Sequence, residues 1–207
     1  AVSMLGAQAN VLIVHPSIPV RTVAELIAWA KAGGEGVAFA SPGIGTSPDM
    51  AMELLKVSAG FDLPRVVYKG GAPAQQDVIA GHVKAMFASV GEVLGTVRSG
   101  RVRAIAVSSL ARHPALPDVP TFDESGVKGY QVLSWNHLCA PAAVPEPILA
   151  ALNAAVVKAV GSNEVKEKFA RLGTVAEAST RVELSAFMRS ELAKWRKLAT
   201  TAGISTD

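Results

Sequence analysis

The residues best suited to chemistry form a loop rich in glycine and hydroxyl side chains, Ser41-Pro42-Gly43-Ile44-Gly45-Thr46-Ser47. It separates a short apolar run from a helical pattern, with Ser47 as the expected N-cap and Pro48 at the first helical position. Glycines let a backbone approach a ligand closely, and unpaired N–H groups at a helix start attract an anion. An anion is therefore predicted to bind to Ser41, Gly43, Gly45, Thr46 and Ser47. The alternative is an ordinary turn in which Ser47 only caps the helix.

Two further segments leave predicted strands in the same way. Lys69-Gly70-Gly71-Ala72 follows an apolar run and precedes a helical pattern, and Ser89 ends the next predicted strand. The carboxyl ends of parallel strands meet at one edge of a sheet, where such folds bind ligands. These segments therefore predict a binding site that includes Lys69, Gly70, Gly71, Ala72 and Ser89. Lys69 would add positive charge there, although a solvated lysine is the alternative.

Familiar catalytic and metal-binding patterns are missing from the sequence. The glycine loop lacks the Gly-Lys-Ser/Thr of a P-loop, and Pro48 occupies the place of the third glycine in a dinucleotide fingerprint. The four histidines have no HExxH spacing, and no GxSxG nucleophile motif occurs. We therefore expect a binding protein rather than an enzyme, with no cofactor or metal ion.

Strand and helix patterns alternate through the first two-thirds of the chain, which predicts an α/β fold with a mostly parallel sheet. Residues 11–16 and 37–42 are predicted strands. The helix between them should begin with a capping box of Thr22 and Glu25 and end at Gly33 and Gly34. Asp49 is expected in the first turn of the next helix, which should end at Gly60.

The pattern changes after Ser109. Residues 112–130 are rich in proline, glycine and aspartate and predict a long surface excursion. Residues 134–141 predict one more strand, in which Cys139 is expected to be a buried thiol. Helices follow, with two apolar stripes: Ile148, Leu152, Ala155, Val156 and Ala159, and then Leu184, Phe187, Met188, Leu192 and Trp195.

Composition narrows the class of protein further. The 207 residues are 50% hydrophobic and 18% charged, which excludes a disordered chain. No apolar stretch approaches the ~18 residues of a membrane span. The formal net charge of +3 comes from scattered lysines and arginines, so nucleic acid is not an expected partner.

Several segments together resemble the substrate-binding (Bug-type) receptors of tripartite tricarboxylate transporters. They are VLIVHPSIPVRTVAELIAWAK, GIGTS, VVYKGGAPAQQDVIAGHVKAMF, RHPALPDVPTFDESGVKGY and SW…APAAVP, in the order expected for that family. The resemblance implies a two-lobed fold of the type II periplasmic-binding-protein class. It also implies a small carboxylate as ligand, permease subunits as membrane partners and a periplasmic location. The GIGTS loop, Gly70-Gly71-Ala72 and Ala88-Ser89 match the carboxylate-contacting segments of the family.

The resemblance also predicts how the chain divides. Residues 1–10 would be a remnant of the first lobe, 11–133 a complete second lobe, and 134–207 a return strand and the C-terminal helices of an incomplete first lobe. We expect such a chain to bind a carboxylate weakly by itself and to form a homodimer or larger species through its uncovered helices. The alternative function is an interaction or sensor-partner domain that no longer binds solute.

Two departures from the family bear on the site. Ala88 stands where members often carry aspartate, so contacts made through that carboxylate would be lost. Asp49 stands where a histidine is common, and a carboxylate at the mouth of an anion site is expected to tune or weaken binding.

Overall fold

The computed structural model describes residues 1–33 and 38–203. Gly34 and Val37, the predicted helix stop and strand start, lie outside these residues. In chain order the elements are β1 (Ser3–Val14), α1 (Val23–Lys31), β2 (Phe39–Ser41), α2 (Ser47–Ala59), β3 (Arg65–Val67), α3 (Gly71–Ala80), β4 (Ala85–Ser89), α4 (Val90–Arg98), β5 (Arg103–Val107), β6 (Leu133–Leu138), α5 (Glu146–Val160), α6 (Asn163–Arg171), β7 (Val175–Ala176) and α7 (Arg181–Ala202).

These elements form two compact units, one of residues 9–133 and one of residues 1–8 with 134–203. In the first unit the strand order is β3-β2-β4-β1-β5. Strand β2 is parallel to β3 and β4, whereas β1 is antiparallel to β4 and β5. The predicted, mostly parallel sheet is confirmed. The direction of β1 was not predicted, because a hydrophobic run carries no information about which neighbours it joins.

Local signals fixed the ends of two helices in this unit. Thr22 and Glu25 form the predicted capping box, in which each side chain accepts a hydrogen bond from the backbone of the other residue. Gly60 ends α2 with φ of 64°, a left-handed conformation that glycine adopts without a steric penalty.

The predicted surface excursion is in fact partly buried. Phe122 is 0% and Tyr130 is 2% exposed, and both rings pack with Phe87 of β4 at centroid distances of 5.5 and 6.4 Å. The Tyr130 hydroxyl donates to the Ala51 carbonyl oxygen at 2.6 Å, and burial raises the pKa of this phenol well above its ordinary value. The aromatic side chains of Phe122 and Tyr130 therefore hold this segment against the rest of the first unit.

The second unit combines β6, β7 and the start of β1 with α5, α6 and α7. Leu184 of α7 is fully buried, and Trp135 packs edge-on against Phe187 at 5.3 Å. The other predicted stripe, on α5, remains largely exposed: Ile148 is 51% and Leu152 38% exposed. Cys139 is exposed, so the predicted buried thiol is wrong.

The described part of the chain has seven helices. None of them is by itself both long enough and apolar enough to cross a bilayer. The pair α5 and α6, bent by 69° at their junction, reaches the required length and composition only when taken together.

Candidate functional site

Three helices of the first unit begin at one edge of its sheet. Because β2, β3 and β4 are mutually parallel, their carboxyl ends point the same way, and each leads within a few residues into α2, α3 or α4. The sequence-predicted site residues lie in these three connections. The structure thus places them at one edge, where helix dipoles contribute partial positive charge.

The starts of these three helices differ from most other helix starts in the described chain. Side chains cap α1, α6 and α7 through Thr22, Ser162 and Thr180. No side-chain oxygen caps α2, α3 or α4, and the same holds for α5, which follows Pro145. Uncapped first turns leave backbone N–H groups available to water or to a ligand.

Much of the predicted donor set is nevertheless used inside the turns. Within the β2–α2 loop, Gly43 N–H donates to Ser41 Oγ at 3.2 Å, Thr46 N–H donates to the Gly43 carbonyl oxygen at 3.2 Å, and Gly45 N–H donates to Asp49 Oδ2 at 3.0 Å. Gly70 N–H donates to the Pro42 carbonyl oxygen at 3.0 Å. The amides of Gly43, Gly45 and Thr46 are therefore paired within the β2–α2 loop, and that of Gly70 is paired with the same loop, so they are not free donors in this structure.

Two predicted hydroxyl donors are also committed to shaping the loop. Thr46 Oγ1 donates its proton to the Gly43 carbonyl oxygen at 2.7 Å, and Ser41 is fully buried with its Oγ accepting from Gly43 N–H. Thr46, rather than Ser47, is the N-cap of α2, so Ser47 is the first residue of the helix. Three predicted backbone donors keep no acceptor among residues 1–33 and 38–203, namely the N–H groups of Ser47, Gly71 and Ala72.

The Ser47 hydroxyl is oriented by a residue that the sequence did not reveal. Asn10 of β1 donates from Nδ2 to Ser47 Oγ at 2.8 Å. Because Ser47 Oγ accepts from Asn10, its own proton must point to a different acceptor. Asn10 is also the Cα partner of Ser89 across the β1–β4 ladder, and directly opposed residues of antiparallel strands share a face of the sheet. In the described part of the chain the Ser89 hydroxyl has no hydrogen-bond partner.

The sequence suggested that Asp49 lies at the mouth of the anion site, but in the structure it does not. Its side chain is fully buried; Oδ2 accepts from Gly45 N–H and lies 3.1 Å from Arg65 Nη1 of β3. Arg65 also lies 3.8 Å from Glu53, which pairs with Lys56 at 3.2 Å. The negative charge of Asp49 is therefore balanced inside the fold instead of facing an incoming anion.

Two charged side chains remain near the α3 start. Lys69 is exposed, and in the described chain no carboxylate oxygen lies within 4.0 Å of its ammonium group. Glu92, in the first turn of α4, brings Oε2 to 3.5 Å from the position that a Cβ on Gly71 would occupy. No motif in the sequence points to Glu92, whose carboxylate would compete with an anion at the start of α3.

Other kinds of site find less support. A pocket of about 310 Å³ lies elsewhere in the first unit, lined by α1, the end of α2 and residues 125–128, and contains none of the predicted site residues. Within the described ranges no three His, Cys, Asp or Glu side chains are grouped so that they could hold a metal ion.

Comparison with known proteins identifies the family. Residues 1–204 match the family described as tripartite tricarboxylate transporter family receptor. The chain belongs to that family. Its description is that of a receptor, which is the class predicted from the sequence in preference to an enzyme.

Curated relatives and solved structures agree with this membership. A UPF0065 protein in the tcbD–tcbE intergenic region of Pseudomonas sp. (strain P51) is 36% identical over 91% of this chain. BugT of Bordetella pertussis is 31% identical over 98% of it. The present chain spans only 56% of the length of the first relative and 62% of the length of the second.

Solved structures confirm the fold. An R. palustris structure with adipate covers 99% of the chain with a TM-score of 0.86 at 30% identity. MatC from Rhodopseudomonas palustris, with bound malate, covers 95% with a TM-score of 0.80 at 28% identity. The chain covers 68% of each of these two structures. The predicted fold of the periplasmic-binding-protein class is thus correct.

Proposed function

We propose that this receptor-family chain binds a small carboxylate at the sheet edge where α2, α3 and α4 begin. The observation that carries the proposal is the Ser47 hydroxyl, which accepts from Asn10 Nδ2 at 2.8 Å and so presents its proton to an acceptor. The uncapped N–H groups of Ser47, Gly71 and Ala72 add donors at two helix starts. A carboxylate supplies acceptor oxygens and the negative charge that helix starts favour.

The chemistry of the relatives supports the same ligand class. One solved relative carries adipate and another carries malate, and both are small dicarboxylates. Periplasmic location and delivery of the ligand to permease subunits follow as parts of the proposal from family membership. Lys69, exposed beside the α3 start, would attract the anion over a distance of about a Debye length, ~10 Å at 0.1 M salt.

We further propose that the unit of residues 9–133 corresponds to the second lobe of such receptors. In this assignment residues 1–8 and 134–203 belong to the first lobe. The two compact units of the chain support this assignment, because each unit would correspond to one lobe. Strand β1 alone of the elements has long segments in both units.

The expected affinity is low. Three or four hydrogen bonds to a charged group contribute about 1.5–3 kcal/mol each. Association costs an estimated 4–15 kcal/mol, whereas micromolar binding needs about 8 kcal/mol of net free energy. We therefore expect millimolar binding by this chain, which requires a method that detects weak complexes.

Amide-resolved NMR titration tests the proposal. Malate and adipate, added to tens of millimolar, should shift the amide signals of Ser47, Gly71 and Ala72 and leave those of residues 125–128 unchanged. Ser47→Ala should weaken binding about tenfold to a hundredfold, as expected for the loss of one hydrogen bond to a charged group. Ser58→Ala, at the opposite end of α2, is the matched control and should bind normally.

Two results would overturn the proposal: shifts confined to other surfaces, or no shift at the highest concentration. The second result would favour a domain that no longer binds solute. The observation that favours this alternative is that the backbone amides of Gly43, Gly45, Thr46 and Gly70 already have acceptors within the β2–α2 loop.

A further inference from the structure

The side chain of Asn10 has an unusual hydrogen-bond balance. Asn10 is fully buried in β1, and its Nδ2 donates to Ser47 Oγ. Its Oδ1 is buried as well, and among the residues that the structure describes none donates a hydrogen bond to it. Buried polar side-chain atoms are paired in the large majority of cases, so an exception calls for a functional explanation.

The backbone of Asn10 is held in place by two hydrogen bonds with Ser108. Its N–H donates to Ser108 Oγ at 2.9 Å, and its carbonyl oxygen accepts from Ser108 N–H at 2.8 Å. Ser108 Oγ donates in turn to the Val132 carbonyl oxygen. With both of its backbone groups paired, Asn10 has a fixed backbone, and the hydrogen bond from Nδ2 to Ser47 Oγ orients its side-chain amide.

The place of the unpaired oxygen follows from its covalent geometry. Oδ1 and Nδ2 share one carbon atom, so Oδ1 lies next to the atom that contacts Ser47 Oγ. Asn10 also opposes Ser89, the residue that precedes α4. The Asn10 side chain, which carries the unpaired acceptor, thus belongs to a residue that contacts the start of α2 and opposes the residue preceding α4, two of the helices that form the proposed carboxylate site.

We propose that Asn10 Oδ1 accepts a hydrogen bond from a hydroxyl that the ligand carries on the carbon next to its carboxylate. The inference rests on the proposed function, because Ser47 would hold the carboxylate while Asn10 contacts its neighbouring group. It makes Asn10 a specificity-determining residue and 2-hydroxycarboxylates the preferred ligand class.

A hydroxyl fits this position better than an ammonium group. The partners of Asn10 are the neutral serines Ser47 and Ser108, and its cross-strand neighbour is Ser89. The carboxylate of Asp49, two positions after Ser47, is already engaged by Gly45 and Arg65. A buried ammonium group without a counter-ion is unfavourable, whereas a neutral hydroxyl needs only one acceptor.

Malate and succinate provide the sharpest test, because they differ only in the 2-hydroxyl group. The unmodified chain should bind malate about fivefold more tightly than succinate, the effect of one neutral hydrogen bond. Asn10→Leu should bring the malate-to-succinate ratio close to one. Ser47→Ala should weaken the binding of malate and of succinate, because both ligands carry the carboxylate that Ser47 is proposed to contact.

A second measurement needs no variant and so is independent of whether Asn10→Leu folds. The ligand 2-methoxysuccinate keeps the oxygen but has no proton to donate, and it should bind no better than succinate. Equal binding of malate and succinate by the unmodified chain, or a preference for 2-methoxysuccinate equal to that for malate, would refute the role of Asn10. Absence of binding by all three would instead refute the proposed function.

Discussion

Arg65 Nη1 lies 3.1 Å from Asp49 Oδ2, and this contact joins β3 to the first turn of α2. The same carboxylate oxygen accepts from Gly45 N–H at 3.0 Å, so one buried group ties together a strand, a helix and the glycine loop. Breaking a buried ion pair at one partner is costly because the other charge is left without compensation. The pair is therefore a structural requirement for the shape of the loop.

Replacement of Asp49 by asparagine should accordingly destabilise the fold. Arg65 would lose its closest counter-charge, although its 26% exposed side chain lets water offset part of the loss. We expect a decrease of about 2–3 kcal/mol in the free energy of unfolding, measured in urea. Glu164→Gln, which removes the exposed pair Glu164–Lys168 on α6, should change it by less than about 0.5 kcal/mol. Equal effects of the two substitutions would contradict this account.

The parts of the fold that sequence predicted correctly are those encoded within a few neighbouring residues. The capping box of Thr22 and Glu25 spans three positions, and Gly60 ends its helix through its own backbone preference. The alternation of strands and helices likewise predicted that the three glycine- and serine-rich connections meet at one edge.

Several contacts that the sequence did not reveal join residues far apart in the chain. Asn10 meets Ser47 across 37 positions, and Tyr130 meets Ala51 across 79. Asp49 and Arg65 are 16 positions apart and are joined only by the register of the sheet. No local pattern contains these distances, so the sequence could suggest that Asp49 repels an anion but could not show that its charge is already balanced.

Glu92 offers a test of competition at the α3 start. Its carboxylate lies beside Gly71, where it occupies the positive end of the helix dipole. Glu92→Gln removes the charge but keeps the shape, and we expect the affinity for malate to rise about twofold to threefold. Glu167→Gln on α6 is the control for the change in net charge. Unchanged or weaker binding by the Glu92 variant would show that this carboxylate does not compete.

The phenol of Tyr68, in the connection between β3 and α3, should make the stability of the fold depend on pH. Burial, followed by the hydrogen bond that its hydroxyl donates to Asp77 at 2.7 Å, raises the pKa of Tyr68 to about 12. Because the pKa is higher in the folded chain, this stabilisation is complete below pH 10, the unfolded value, and is lost as pH rises towards 12. Urea midpoints should therefore fall between pH 10 and 12, and fall less for Tyr68→Phe.

Absorbance at 295 nm gives an independent reading of the same groups. The chain has two tyrosines, and burial raises the pKa of Tyr130 as well. Little tyrosinate should thus form at pH 10 in the folded chain, whereas the urea-unfolded chain should titrate at its usual pKa near 10. A folded chain that titrates like the unfolded one would be inconsistent with both burial and the Asp77 contact.

The exposed apolar face of α5 underlies the expectation that the chain associates with itself. Ile148 and Leu152, one turn apart on this helix of mostly apolar residues, are 51% and 38% exposed. Contiguous apolar surface of this kind favours association in water. Light scattering should give a mass above that of one chain, and Ile148→Lys with Leu152→Lys should lower it. Leu110→Lys, at an exposed leucine of the first unit, should leave the mass unchanged. A monomeric mass for the unmodified chain would contradict the expectation, because the apolar face would then be exposed without causing association.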